Sequence, residues 1–360
     1  MVEGCKKKWD IMRKARLETR IGSVLLKNPV IAGSAEHLID AEGVRRAIKA
    51  GAGAVVVKST NESEAARVQL QQAEYAVLDE NWERIAWNES APRNAFIACR
   101  SGLTPQPFDA WLEQTARLDH EASKDDAVVV ASLILADLEH AVTMAKQIET
   151  AGLRVLELNI GTPYASQAVK GAVSTELDPA RITNIVNAVR SVITIPLWIK
   201  ITGQSERVPD LADAAFEAGG NAVVMAGRLL GMIPDIETHK PVLDTSLGVG
   251  GTWHLPLTCH WLALTRNKLG TEKPLIGTNG AQSGLDIARM MLAGASAVEM
   301  SSQVMLRGFS VLESAVAELG EYLDHKGLTA CDLVGKAADN RKGFAQMQER
   351  RDNWRNHIPQ

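Results

Sequence analysis

Lys58 closes the run Val55-Val56-Val57-Lys58-Ser59-Thr60, and Lys200 closes Trp198-Ile199-Lys200-Ile201-Thr202. A lysine set among buried aliphatic side chains is costly to desolvate, so it pairs with an anion or gives up its proton. Two such lysines point to an electron-rich bound group, while a salt bridge to a nearby carboxylate is the plainer reading of either one alone. Further along the chain, Gly250-Gly251, Asn279-Gly280 and Ser301-Ser302 are turns of small residues. Such turns leave backbone N–H groups accessible, and where a helix follows, its amino end adds a favourable dipole, so the set reads as a phosphate cradle. Phosphate at one side and two lysines at the other describe an extended phosphorylated cofactor. FMN suits this description, with lysine beside the part of the ring where negative charge collects on reduction.

Residues 157–164, Glu-Leu-Asn-Ile-Gly-Thr-Pro-Tyr, are an apolar strand that stops in a polar, proline-locked turn. Thr162 there offers a hydroxyl for proton transfer, but a threonine is a poor unaided base and needs a relay to water or a neighbouring acceptor. The alternative is a turn residue bonded to the backbone ahead of Pro163. Tyr164 and Trp253 either stack on an unsaturated substrate or pack at a rim. His254 either faces the cofactor or caps the helix that follows it. Glu36, His37, Asn88, Arg93, Arg100 and Arg228 are further pocket candidates.

These residues need a scaffold that gathers strand ends. Continuous apolar runs at Pro29–Ala32, Ala54–Lys58, Ala127–Leu133, Val155–Ile160, Pro196–Ile201, Ala222–Ala226, Pro274–Thr278 and Ala297–Ser301 read as strands covered on both faces. Helical periodicity fills the intervals at Asp40–Ala50, Phe108–Ala122, Leu138–Thr150, Asp178–Val189, Asp210–Ala218, Pro256–Leu269 and Gly284–Ala293, with Val311–His325 after the last strand. Eight strands alternating with eight helices predict an α/β fold, a closed (β/α)8 TIM barrel, over residues 1–335 as a single unit. Its active site lies at the carboxyl ends of the strands, where Lys58 and Lys200 stand. The interval between the second and third strands is far longer than the usual connection of ~2–6 residues. Residues 59–107, with Arg67, Trp82 and Trp87, are expected to form a lid or small subdomain containing one hairpin, or else a dimerisation excursion. Residues 336–360 read as a charged tail, a final helix that wraps the barrel or frays.

Composition narrows the partners. A hydrophobic share of 46%, a charged share of 23% and a net charge of −4 give no electrostatic reason to expect nucleic acid. Cys5, Cys99, Cys259 and Cys331 lie too far apart for a zinc knuckle or an iron–sulfur motif. Electrons therefore have to be exchanged with an external acceptor or donor. No run approaches the roughly 18 apolar residues of a membrane span, and the start lacks a secretory core, so a cytoplasmic location is expected; a homodimer is a separate expectation. Lys6-Lys7-Lys8-Trp9 and Ile11-Met12-Arg13-Lys14 would place a basic face beside an apolar one on a helix packed against the domain.

In order along the chain, Asn28-Pro29-Val30-Ile31-Ala32-Gly33-Ser34, Val57-Lys58-Ser59-Thr60, Glu157-Leu158-Asn159, Ile199-Lys200, Gly250-Gly251, Gly277-Thr278-Asn279-Gly280 and Ser283-Gly284-Leu285-Asp286 resemble the dihydroorotate dehydrogenase family. The likeness includes the flavin domain of dihydropyrimidine dehydrogenase and covers roughly residues 20–326. It implies FMN on Ala32, Gly33, Lys58, Asn159 and Lys200, with the phosphate held by Gly250, Gly251, Asn279, Gly280, Ser301 and Ser302. It also implies hydride exchange between a substrate carbon and the flavin, with a side chain handling the proton. Three positions depart from the family pattern: Thr162 stands where a cysteine is typical, and Tyr164 and Ala226 stand where asparagines that read a pyrimidine are usual. Sites built on such amide bonds discriminate strongly, so dihydroorotate is not the expected substrate. Two other readings keep the barrel. In one, Lys58 or Lys200 forms a Schiff base with a phosphorylated substrate in a lyase or isomerase; in the other, the chain is a flavin-bearing electron-transfer partner without catalysis of its own.

Overall fold

The computed structural model describes residues 16–161, 176–227 and 229–359, and the side chain of Ala226 is not described within its strand. Eight parallel strands close into a barrel: Val30–Ala32, Ala54–Val56, Val128–Ile134, Leu156–Asn159, Leu197–Thr202, Ala222–Gly227, Leu275–Thr278 and Ala295–Met300. Closure is made by the first strand, which pairs Ile31 with Ala54 on one side and Ala32 with Met300 on the other. Each expected apolar run overlaps one of these strands, with ends that differ by at most two residues. Parallel strands need both faces covered, and the second, third and fifth are buried along their whole length.

The helices that cover the outer face start and stop on local signals. Asp40 caps Ala41–Lys49 by accepting a hydrogen bond from the Gly43 N–H, and Asp178 caps Pro179–Arg190 through Ala180 N–H. Gly51 and Gly152 leave their helices with φ of 92° and 83°, the left-handed region that glycine enters without strain.

Two parts of the architecture were not read from the sequence. A hairpin of Thr19–Ile21 and Val24–Leu26 closes the amino end of the barrel, where Ile21, Val24 and Leu26 join Ile31, Val128, Trp198 and Val224 in one buried cluster. At the opposite end, residues 59–107 do not form a lone hairpin. Glu74–Leu78, Arg84–Ile85 and Phe96–Arg100 belong to a five-stranded antiparallel sheet that continues into Leu247–Gly250 and Leu229–Gly231, both from the connection after the sixth barrel strand. Two insertions thus build one lid sheet, because Val249 pairs with Ala98 and Gly248 with Cys99.

The lid is tied to the barrel at several points. Arg93 donates to the buried Asp286 at 2.6 Å, Trp87 Nε1 donates to Met305 O at 3.2 Å, and Arg307 donates to the carbonyls of Glu89 and Ala91. At the carboxyl end, Lys336–Asp339 is a short helix fixed by a two-bond Arg266–Asp339 pair. Short turns follow it in place of a wrapping helix, and Phe344 is 96% exposed.

Candidate active site at the carboxyl rim

A cavity of about 380 Å³ lies between the carboxyl ends of the barrel strands and the lid sheet. Of the expected cofactor residues, Lys58, Asn159, Lys200, Gly250, Asn279, Ser301 and Ser302 line it. Ala32, Gly33, Gly251 and Gly280 are not among its lining residues. A Cβ on Gly33 would meet Ser301 Oγ at 2.4 Å, and one on Gly280, with φ of 98°, would meet Leu255 N at 2.4 Å. A Cβ on Gly250, by contrast, would meet nothing within 4 Å. Gly250 therefore leaves free the space along its backbone that a bound group would approach. Asn159 turns the end of its strand by accepting the Gly161 N–H at 3.1 Å.

Both lysines are clamped by carboxylates. Lys200 Nζ lies 3.0 Å from Glu157 Oε2 and 2.6 Å from Glu299 Oε2, with all three residues buried. Burial opposes the Lys200 charge, but Glu157 and Glu299 outweigh it and hold the ammonium above the ordinary lysine range. Burial also raises the Glu299 carboxyl, Lys200 pulls it back down, and the Glu157 charge adds to a net rise. Lys58 Nζ lies 3.0 Å from Glu36 Oε1. Burial alone would raise the Glu36 carboxyl, yet the Lys58 charge and hydrogen bonds from Tyr75 and Lys58 leave it below the usual carboxylate range.

Arg100, the third cation on the wall, is committed to the lid: it donates to Gln72 O at 2.8 Å, Leu243 O at 2.6 Å and Glu74 Oε2 at 3.0 Å. Among the described residues, every lysine or arginine lining the cavity thus already faces a carboxylate.

Several sequence candidates fall elsewhere. Trp253 and His254 are not on the cavity wall. The Trp253 ring stacks on Phe96 with centroids 5.5 Å apart and planes 6° apart, as rim packing between barrel and lid. His254 makes no side-chain cap to the helix Leu255–Leu269; its Nδ1 meets Thr258 Oγ1 at 3.0 Å, and burial pushes the imidazole down to about 4. His37 packs edge-on against Phe309, and burial pushes it down to about 3. Asn88 accepts bonds from Ser90 within its own turn. Thr162, Tyr164 and Arg228 lie outside the described residues.

Glu157, Glu299, Ser59 and Ser132 were missed as a group. The signal was present: a carboxylate in the middle of an apolar strand, as in Val298-Glu299-Met300, is buried by its neighbours and must find a cation.

A closed parallel barrel with paired lysines, a strand-end asparagine and glycine- and serine-built turns around one rim cavity defines a barrel enzyme with its chemistry at the carboxyl ends of the strands. The family model described as dihydroorotate dehydrogenase matches residues 90–323, and the chain belongs to that family. By that membership it is an oxidoreductase of a flavoprotein family. It is 27% identical over 338 residues to the dihydroorotate dehydrogenase B (NAD(+)) catalytic subunit of Methanocaldococcus jannaschii, covering 91% of this chain and 99% of that one. It is 31% identical over 238 residues to a putative dihydroorotate dehydrogenase A (fumarate) of Aeropyrum pernix, covering 66% and 75% of the two chains. The fold is similar to that of the Eimeria tenella dihydroorotate dehydrogenase crystallised with ferulenol, with a TM-score of 0.69 at 17% identity over 91% of this chain and 89% of that one.

Proposed function

We propose that the protein is an FMN-dependent oxidoreductase that exchanges a hydride between the flavin and a small cyclic, carbonyl-containing substrate without a carboxylate, and that dihydroorotate is not that substrate. The observation that carries this reading is the Glu36–Lys58 pair at 3.0 Å on the cavity wall. With the Lys58 charge already matched, a substrate carboxylate on this side of the wall finds no spare cation, and the ionised Glu36 would repel it. Thr162, Tyr164 and Ala226, which replace the family's cysteine and two asparagines, support the same reading from the sequence.

The residues suit FMN. Lys58, Asn159 and Lys200 would hold the ring, and Gly250, Asn279, Ser301 and Ser302 the phosphate. Bound FMN supplies a two-electron carrier that accepts or donates hydride. The chain's own part is to fix that carrier, to exclude water under the lid sheet and to move the substrate's proton, a role we give to the Thr162 hydroxyl. If Trp253 and His254 bear on substrate, they act through the rim rather than from the wall. A Schiff-base mechanism requires a neutral amine, and the carboxylate clamps on both lysines work against it.

The same proposal includes an external electron acceptor or donor, a cytoplasmic setting in keeping with the free thiols of Cys99, Cys259 and Cys331, and a homodimer. No helix among the described residues is long and apolar enough to cross a membrane. The exposed Phe344, Met347 and Trp354 offer an apolar surface that a subunit contact would cover.

The test is reconstitution with FMN followed by anaerobic mixing with cyclic amides, imides, azaheterocycles and dihydroorotate. An uncharged ring that bleaches the flavin absorbance supports the reading. A protein that stays colourless after reconstitution overturns it, and one that is reduced by a protein donor but by no small molecule is an electron-transfer partner instead.

A further inference from the structure

Glu157 and Glu299 approach Lys200 from the fourth and eighth barrel strands, so two buried carboxyl groups meet one ammonium, at 3.0 and 2.6 Å. Two carboxyl groups can share a hydrogen bond only when one of them carries a proton, since an ionised carboxylate accepts and cannot donate. Lys200 supplies one positive charge, so the trio is electrically balanced with one shared proton and carries a net negative charge without it. Net negative charge is expensive where Glu157 is fully buried and Glu299 is 2% exposed. Burial and the neighbouring carboxylate both favour the protonated form of Glu299, against the pull of Lys200. Among the described residues Glu299 Oε1 has no hydrogen-bond partner, which suits a neutral carboxyl better than an anion. Another charged pair on the cavity wall, Glu36 with Lys58, is internally balanced.

A line of hydroxyls leads away from this pair. Ser132 Oγ donates to Glu157 Oε1 at 3.0 Å, Ser59 Oγ lies 2.8 Å from Ser132 Oγ, and Ser34 Oγ lies 3.1 Å from Ser59 Oγ. Ser132 is fully buried, while Ser34 and Ser59 line the cavity. With Ser132 donating to Glu157, a consistent orientation has Ser59 donating to Ser132 and Ser34 to Ser59. In that orientation each hydroxyl takes a proton from its cavity-side neighbour while passing its own toward Glu157; with all three turned the other way the same line carries a proton out, and in neither direction does charge remain on a serine.

We propose that Glu157 and Glu299 share one stored proton above the barrel core, and that Ser132, Ser59 and Ser34 carry it to and from the cavity. This assigns two carboxylates and three serines as positioning and proton-relay residues, and it holds whatever the substrate and whether or not FMN is the cofactor.

Infrared spectroscopy of the full-length protein tests it. Near pH 7 exposed carboxyl groups are ionised, so a protonated carboxyl C=O band that shifts in D2O reports a buried, proton-bearing pair. The expected result is such a band in the unmutated protein, lost as pH rises and absent from Glu299→Gln. Its absence from the unmutated protein near pH 7, or its survival in a folded Glu299→Gln, overturns the stored proton. For the ladder, Ser59→Ala should slow the deuterium shift of that band at least tenfold, and Ser59→Thr should restore it. An unchanged exchange rate in Ser59→Ala overturns the ladder and leaves the pair standing.

Discussion

Lys200 Nζ sits 2.6 Å from Glu299 Oε2, so one buried cation ties the fifth strand of the barrel to the eighth across its interior. Glu157 completes the clamp at 3.0 Å. Removing one partner of a buried pair leaves an uncompensated charge, which typically costs about 3–5 kcal/mol. Lys200→Met should therefore unfold at markedly lower denaturant than the parent near pH 7. Acidification should narrow the difference, because protonating the carboxyls removes the charge they leave behind. Chemical denaturation at two pH values checks this, and a Lys200→Met protein as stable as the parent would argue against the clamp.

The glycines of the phosphate side divide into two kinds. Gly250→Val should place a side chain in open cavity and weaken FMN binding at least tenfold, about 1.4 kcal/mol, with little change in apoprotein stability. Gly280→Ala acts on the fold itself: its φ of 98° and the Leu255 backbone 2.4 Å from the new Cβ should cost more than ~1 kcal/mol before any ligand is added. FMN titration beside thermal unfolding separates the two.

For the proton step, Thr162→Ala should slow the reduction of bound flavin by substrate ~10²-fold or more. A reductive half-reaction of unchanged rate would return Thr162 to a turn role.

His254 gives the fold a pH dependence of defined sign. Burial depresses its folded value to about 4 from an ordinary 6.5. The unfolded chain thus binds the proton more tightly, and the stability from the neutral imidazole is complete above pH 6.5. It is lost as pH falls toward 4, by roughly 3 kcal/mol at most. His37, pushed down to about 3, adds in the same direction. Thermal unfolding of the parent and of His254→Gln across that range should show a shallower acid loss in the variant.

The barrel was legible because a parallel strand covered on both faces leaves an unbroken apolar run, as in Val128–Ile134, and because its helices carry their own start and stop residues. The lid sheet was not. Gly248-Val249-Gly250 reads as a flexible glycine turn, yet its backbone pairs with Ile97–Cys99, more than a hundred residues earlier, and nothing local encodes that register. The site divided along the same line. Lys58 and Lys200 announced themselves by their aliphatic neighbours, while the partners that decide their chemistry arrive from elsewhere in the chain, Glu157 and Glu299 from other strands and Glu36 from a short helical turn. The placement of Trp253 turned on Phe96, a residue of the lid that no local pattern sets beside it.

The most direct measurement is anaerobic stopped-flow mixing of the FMN-loaded protein with dihydroorotate and with uncharged cyclic amides and imides, repeated on Glu36→Gln. Dihydroorotate should leave the parent flavin oxidised while an uncharged ring bleaches it. Glu36→Gln, by releasing Lys58, should strengthen binding of the carboxylated product at least tenfold, about 1.4 kcal/mol. Rapid bleaching of the parent flavin by dihydroorotate, with no gain from Glu36→Gln, would contradict it.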